Sequence, residues 1–115
     1  MIKVYSYEKC STCKKALSWL TARGARFEVF PIVERPPSVA ELRSMLAHVG
    51  DLKRLFNTSG ELYREMKMSE RLPQMQLEEA LELLSRNGKL VKRPFLLGEN
   101  FGLVGFKEED WATKF

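Results

Sequence analysis

The alternation of apolar and polar side chains predicts a strand, a helix and a second strand in the first part of the chain. Residues 2–7 and 26–32 alternate with period two and are rich in β-forming side chains, as in strands with one buried face. Between them, residues 11–23 place apolar side chains at helical spacing, and Gly24 is a stop signal. Pro31 has no N–H to donate, which indicates that the second strand ends at a position where one hydrogen bond to the neighbouring strand can be absent. A helix connecting two such strands implies a parallel pair.

The middle of the chain carries helical patterns that are interrupted. Ser38 and Glu41 form a capping-box pattern ahead of a helix that runs to about His48. Residues 50–66 predict two short helical pieces, which the turn-forming run 57–60 separates. We therefore expect a broken helical segment in this region.

A regular amphipathic helix is predicted over residues 76–85, because its leucines and Ala80 fall on one face. Asn87 and Gly88 follow it after one residue. Both residue types tolerate the left-handed conformation, so we expect them to end the helix in that conformation.

The last quarter of the chain predicts a hairpin and a closing helix. Residues 94–97 and 103–104 flank a run of turn formers at 98–100. Residues 108–113 should form a short helix that buries Trp111. The order β-α-β, helices, β-β-α predicts an α/β protein with a thioredoxin-like fold, in which a four-stranded mixed sheet has a helical insertion between its βαβ and ββα parts.

Composition and charge narrow the classes of partner. At 115 residues the chain is expected to form one domain, 1–115. Its net charge of +4 comes from scattered Lys and Arg residues, so we expect no direct nucleic-acid binding. No apolar stretch approaches the ~20 residues that cross a bilayer, and no signal-peptide pattern is present. We therefore expect no membrane partner and a cytoplasmic location.

The two cysteines form the main candidate site. Cys10 lies where the first helix begins, where unpaired N–H groups and the helix dipole favour a thiolate, and Lys9, Lys14 and Lys15 add positive charge. Cys13 follows about one helical turn later, close enough to attack a mixed disulfide on Cys10. In the cytoplasm such a pair is more often catalytic, redox-sensing or metal-binding than structural. We expect Cys10 to attack and Cys13 to resolve.

The cysteine pair has three other interpretations. A disulfide closing so short a loop would add roughly 2 kcal/mol to the stability of the fold, against ~4.7 for a hundred-residue loop, so a purely structural role is a weak explanation. A zinc site needs two more good ligands, and the sequence offers only His48, so we expect no metal. The pair could also be chance spacing in an inert helix. His48 itself is interpreted as a surface or packing residue at a helix end.

A second candidate element is the run Lys92-Arg93-Pro94, directly before a predicted strand. A proline at this place can be cis and present backbone opposite the thiols. Arg93 would bring a permanent positive charge toward a thiolate or an oxyanion.

Several motifs, spread along essentially the whole chain, resemble those of the ArsC/Spx family. They are Tyr5, Cys10-Ser11-Thr12-Cys13-Lys14-Lys15-Ala16, Pro36-Pro37, Leu62-Tyr63, Lys92-Arg93-Pro94 and Val104-Gly105-Phe106-Lys107-Glu108-Glu109. The resemblance implies a thioredoxin-like domain with a helical insertion. It also implies one of two functions. Glutaredoxin-dependent arsenate reductases use one catalytic cysteine with three arginines around the oxyanion, whereas Spx-type regulators carry a C-x-x-C switch and bind the RNA polymerase α subunit.

The arsenate-reductase pattern is matched only in part. Cys10 matches the catalytic cysteine, and Arg93 matches the arginine before a proline that the resemblance implies is cis and faces the dithiol. Asn57 and Gly105 stand at the places of the other two arginines. Losing two charged donors should weaken an oxyanion site by several kcal/mol in total. We therefore expect arsenate to be a poor substrate.

The preferred hypothesis is a small thiol-disulfide redox protein that is arsenate reductase-like and uses the C-x-x-C dithiol. The resemblance implies that such a protein has no bound cofactor. It also implies that a thiol donor such as glutathione, glutaredoxin or thioredoxin supplies the electrons. Cys10, Cys13 and Arg93 would be catalytic. The supporting residues would be Thr12, Lys14, Asn57 and Pro94.

The alternative hypothesis is a redox-sensing transcriptional regulator of the Spx type. Gly50 falls near the glycine that Spx-type proteins use at their contact with the C-terminal domain of the RNA polymerase α subunit. A glycine in a turn is more often a matter of backbone geometry.

Overall fold

A mixed sheet of four strands forms the centre of the computed structural model, which describes residues 1–115. The strands are β1 (Ile2–Ser6), β2 (Phe27–Pro31), β3 (Phe95–Leu97) and β4 (Gly102–Val104), in the order β2-β1-β3-β4. β1 and β2 are parallel, while β3 is antiparallel to both β1 and β4. The predicted α/β, thioredoxin-like sheet is confirmed. β2 is an edge strand, which explains why Pro31 is tolerated at its end.

Helices cover both faces of the sheet. They are α1 (Ser11–Ala22), α2 (Val39–Val49), α3 (Glu61–Glu65), α4 (Met68–Arg71), α5 (Leu77–Arg86) and α6 (Glu108–Ala112), with short 3₁₀ helices at Leu52–Leu55, Leu72–Gln74 and Gly88–Leu90. Helices α2 to α5 are the insertion between β2 and β3. The predicted capping box begins α2, with Glu41 N–H donating to Ser38 Oγ at 3.1 Å and Ser38 N–H donating to Glu41 Oε1 at 3.0 Å. No helix combines the length and the apolar character that a membrane crossing requires.

The alternation along β1 divides the apolar core into two layers. On one face, α1 and α6 pack over five buried residues: Val4, Ala16, Leu20, Leu96 and Trp111. On the other face, the insertion packs over a larger cluster of fifteen buried residues, which includes Tyr5. The dithiol helix α1 therefore belongs to the smaller layer, and the insertion to the larger one.

The expected left-handed end of α5 is wrong. Asn87 has φ −138°, and Gly88 is the first residue of a 3₁₀ helix without a positive φ. The need for glycine at this position is steric, because a Cβ on Gly88 would stand 1.8 Å from the carbonyl oxygen of Ile32. The side chain of Asn87 caps the helix by donating to the carbonyl of Leu83 at 2.9 Å.

Candidate functional site

Cys10 lies at the N-cap of α1, on the loop that leaves β1. Its N–H donates to the carbonyl of Tyr7 at 3.0 Å, and its Sγ accepts the N–H of Cys13 at 3.2 Å. The sulfur therefore takes the place of the oxygen that usually caps a helix. A thiolate at this position gains from the free N–H groups and from the positive end of the helix dipole. The side chain is partly exposed.

Cys13 is a free thiol that lies completely buried, one turn inside α1. Burial raises the pKa of this thiol to about 11, and the neighbouring Cys10 sulfur acts in the same direction. The backbone of Tyr7 and the hydroxyl of Ser6 oppose this shift. Cys13 consequently stays protonated at neutral pH. The two thiols thus differ in access, since only Cys10 reaches the surface.

Cys10 opens onto a cleft of about 950 Å³ between α1, the insertion and the segment after β4. Thr12 from α1 and Asn57 from the insertion line the same cleft, as does Arg93. The fold therefore brings four predicted site residues to one place. Lys14 is exposed on α1 and does not line the cleft.

Arg93 stacks on Tyr7, which also contacts Cys10. Its guanidinium carbon lies 4.8 Å from the centre of the Tyr7 ring, and Nη1 donates to the carbonyl of Lys89 at 3.2 Å. Tyr7 also accepts the Cys10 N–H through its own carbonyl. The Arg93–Pro94 peptide is cis, as expected, and Pro94 is buried directly before β3. Tyr7 was not anticipated as a site residue, because nothing in the sequence separates its role from that of a strand residue.

Comparisons with known proteins show the family of this chain. A sequence model of the ArsC family matches residues 5–114. The chain belongs to the ArsC family. The uncharacterized protein YusI from Bacillus subtilis strain 168 is 45% identical to it over 113 residues, which cover 94% of this chain and 96% of YusI. The global transcriptional regulator Spx of Enterococcus faecalis is 28% identical over 96% of this chain and 83% of its own length.

A solved structure supports the fold as well. An ArsC family related protein from Bacteroides fragilis has a TM-score of 0.92 and 44% identity, covering 97% of this chain and 95% of that chain. The resemblance read from the sequence motifs is therefore confirmed for family and fold.

Within this ArsC family fold, the cleft is strongly basic. Six basic side chains line it: Lys53, Arg54, Arg64, Lys92, Arg93 and Lys107. None of the six forms a salt bridge. Of these six, sequence motifs mark Arg93 and its neighbour Lys92 in the run before β3, whereas the other four come from the insertion and from the segment before α6. For these four, the adjacent pair Lys53-Arg54 was the one local signal available.

Gly50 closes α2 beside the rim of the cleft. It is exposed, has φ 79°, and donates its N–H to the carbonyl of Leu46 at 2.7 Å. This left-handed helix end accounts for a glycine by backbone geometry alone. Its neighbour Asp51 lines the cleft, so Gly50 and the dithiol site lie on adjoining surfaces. His48 is exposed near the end of α2.

Proposed function

We propose that this chain is a small thiol-disulfide redox protein in which Cys10 forms a mixed disulfide and Cys13 resolves it. The observation that carries the proposal is the asymmetry of the two thiols. Cys10 caps a helix and opens onto the cleft, whereas Cys13 is fully buried directly behind it. A substrate can therefore reach Cys10 first, and Cys13 reacts only with a group already bound there.

The reaction exchanges two electrons between two dithiol-disulfide pairs. The Cys10 thiolate attacks one sulfur of a substrate disulfide, the substrate S–S bond breaks, and the leaving half takes up a proton as a thiol. Cys13 then loses its proton and attacks the Cys10 sulfur, which releases the second half as a thiol. The substrate is reduced to two thiols, while Cys10 and Cys13 are oxidised to a disulfide. A thiol donor such as glutathione, glutaredoxin or thioredoxin restores the dithiol, in a reducing compartment such as the cytoplasm.

The roles of the two cysteines are tested by alkylation and trapping. With each cysteine replaced in turn, Cys13→Ser should react rapidly with iodoacetamide near neutral pH and accumulate a stable mixed disulfide. Cys10→Ser should react slowly, because its remaining thiol is buried and protonated. Faster alkylation of Cys10→Ser than of Cys13→Ser would reverse the assignment.

The same site predicts that arsenate is a poor substrate. Only Arg93 stands at one of the three arginine positions implied by the resemblance. Asn57, at another of those positions, lines the cleft, and Arg54 and Arg64 line it from other positions. An Asn57→Arg variant should therefore raise any residual arsenate turnover with glutathione and glutaredoxin. Robust turnover by the unmodified chain would contradict this expectation.

A second candidate function is that of a redox-sensing regulator of the Spx type. It is favoured by the 28% identity to Spx of Enterococcus faecalis over nearly the whole chain. Binding to the purified C-terminal domain of the RNA polymerase α subunit should then depend on oxidation of the dithiol. Gly50→Asn should weaken binding, because asparagine tolerates the left-handed backbone while adding a side chain to the proposed contact. Gly24→Asn is the matched control, since Gly24 has φ 72°. No binding in either redox state would exclude this function.

A further inference from the structure

The charge in the cleft is not balanced by its own acidic side chains. Six basic side chains face three acidic ones, Asp51, Glu61 and Asp110. All four salt bridges of the chain lie outside the cleft, so none of its cations is neutralised by a carboxylate within 4.0 Å. A concave surface lined by excess charge of one sign concentrates ligands of the opposite sign.

Gly105, which follows β4 and lies beside Lys92, leaves room for the Lys92 side chain. Gly105 has φ +68°, and a Cβ added to it would stand only 3.1 Å from Cε of Lys92. The stem of Lys92 therefore lies against the space that a side chain at position 105 would occupy. The backbone of Lys92 is fixed by its N–H, which donates to the carbonyl of Leu55 at 2.8 Å. The ammonium group of Lys92 therefore enters the cleft from the side of strand β3.

Lys92 and Arg93 offer two kinds of anion contact. Arg93 is oriented by Tyr7 and by the carbonyl of Lys89, and its planar fork suits a carboxylate. Lys92 carries a point charge on a flexible stem, which adapts to a group whose position varies. This pair is suited to carboxylates on a flexible organic molecule. Arg54 and Arg64 line the same cleft, so the pair lies within a wider basic surface.

We propose that the cleft selects small disulfides that carry carboxylates, with Lys92 and Arg93 binding the carboxylate while Cys10 attacks the nearby sulfur. This inference rests on the proposed thiol-disulfide function and names its substrate class. A volume of about 950 Å³ lies within the range of sites for small organic ligands. The chemistry is the exchange written above: the Cys10–S bond forms, the substrate S–S bond breaks, and the leaving carboxylate-bearing thiolate takes a proton from solvent.

The test uses three alkyl disulfides that differ in charge. They are 3,3′-dithiodipropionate, which is a dianion, the neutral 2-hydroxyethyl disulfide, and the dication cystamine. Rates of mixed-disulfide formation on the reduced Cys13→Ser protein are measured by mass spectrometry and divided by the rates of the same disulfides with a small model thiol. The corrected rates should fall in the order anionic, neutral, cationic.

Substitutions of single lysines and added salt then test whether the charge of the cleft causes this preference. Lys92→Gln should lower the anionic-to-neutral rate ratio by about three- to tenfold, the range expected for one partly screened charge. Lys67→Gln removes the same charge from an exposed position outside the cleft, and should leave the ratio unchanged. High salt should reduce the preference in the protein with its native Lys92, because it shortens the range of charge interactions.

Two different failures can be told apart. If Cys10 reacts with all three disulfides at equal corrected rates, and salt has no effect, the charge selection is wrong while the thiol-disulfide function stands. If Cys10 reacts with none of them, the proposed function itself is wrong. A preference that Lys67→Gln lowers as much as Lys92→Gln does would show that the overall charge of the protein, and not the cleft, attracts the anion.

Discussion

On the face of the sheet that packs α1 and α6, five buried residues form the core, whereas fifteen form the core on the face covered by the insertion. The smaller layer carries both cysteines. The larger one supports the 3₁₀ helix Leu52–Leu55 and the turn at residues 57–60, which contribute cations and polar groups to the cleft. The thiols therefore depend on the smaller layer, whereas three of the six cleft cations, Lys53, Arg54 and Arg64, depend on the larger one. A change in the insertion can alter which ligand is accepted while the dithiol itself remains intact.

The first prediction uses Trp111 to test whether the two layers act independently. This residue is buried, its Nε1 donates to the carbonyl of Gly105 at 3.0 Å, and its ring meets those of Trp19 and Phe106 edge to face. Trp111→Ala should lower the free energy of unfolding by about 3 to 5 kcal/mol, measured by urea denaturation. It should also speed alkylation of Cys13, because α1 loses a packing partner.

Leu81→Ala is the matched change in the larger layer, where Leu81 is fully buried. It should cost about 2 to 5 kcal/mol of stability but leave the alkylation rate of Cys13 under native conditions nearly unchanged. Equal exposure of Cys13 in the two variants would show that the layers do not act independently.

The second prediction concerns alkaline pH and the same smaller layer. The pKa of Cys13 is raised from 9.0 to about 11 by burial, so the unfolded chain loses this proton first and binds fewer protons than the native one. Stability from this group is complete below about pH 9 and is lost as the pH rises toward 11. Under reducing conditions the loss should reach about 2 to 3 kcal/mol. Cys13→Ala should flatten this part of the pH profile, and an unchanged slope would contradict the assignment.

Local patterns predicted much of the fold, but long-range packing decided the rest. The alternation of strands β1 and β2 and the Ser38 capping box depend on neighbouring residues, and both were found. The backbone conformation of Gly88 was predicted wrongly, because a glycine is needed there for close approach to Ile32, more than fifty positions away in the sequence. Helix α4 was not predicted, since it is one turn long and is held by burial of Met68.

The candidate site divides in the same way. The cysteines and Arg93 could be selected from local motifs, because helix position and the following proline mark them. The cations from the insertion could not, since only the folded chain shows that they surround Cys10. The role of Tyr7 as the link between Cys10 and Arg93 likewise needs three-dimensional contacts.

The third prediction tests a hydrogen bond that connects helix α2, in the larger layer, to strand β1 of the sheet. The hydroxyl of Tyr5 on β1 donates to Glu41 Oε1 of α2 at 2.7 Å, and Lys3 contacts Glu41 Oε2 at 3.1 Å. Although burial opposes it, hydrogen bonds from Ser38, Tyr5 and Lys3 lower the pKa of Glu41. Tyr5→Phe should cost about 1 to 2 kcal/mol, while the anion preference of the cleft stays as before.

A double-mutant cycle with Glu41→Gln separates this contact from general packing. The two changes together should cost less than the sum of the single changes, because they remove one shared hydrogen bond. Strict additivity would mean that the Tyr5 hydroxyl contributes through some other neighbour.

The smallest effect is expected at Arg93, which lines the cleft with Cys10 and stacks on Tyr7. By Coulomb's law, a unit charge ~5 Å from a thiolate is worth about 1 to 3 kcal/mol between a water-like and a surface-like dielectric, and water in the open cleft reduces this further. In the Cys13→Ser background, Arg93→Ala should therefore slow iodoacetamide alkylation of Cys10 at neutral pH by about two- to tenfold. Arg93→Lys should keep most of the rate if charge is the cause, and lose it if the stacking on Tyr7 is what positions the group. An unchanged rate in both variants would show that Arg93 does not stabilise the Cys10 thiolate, and its role would then be limited to binding the ligand.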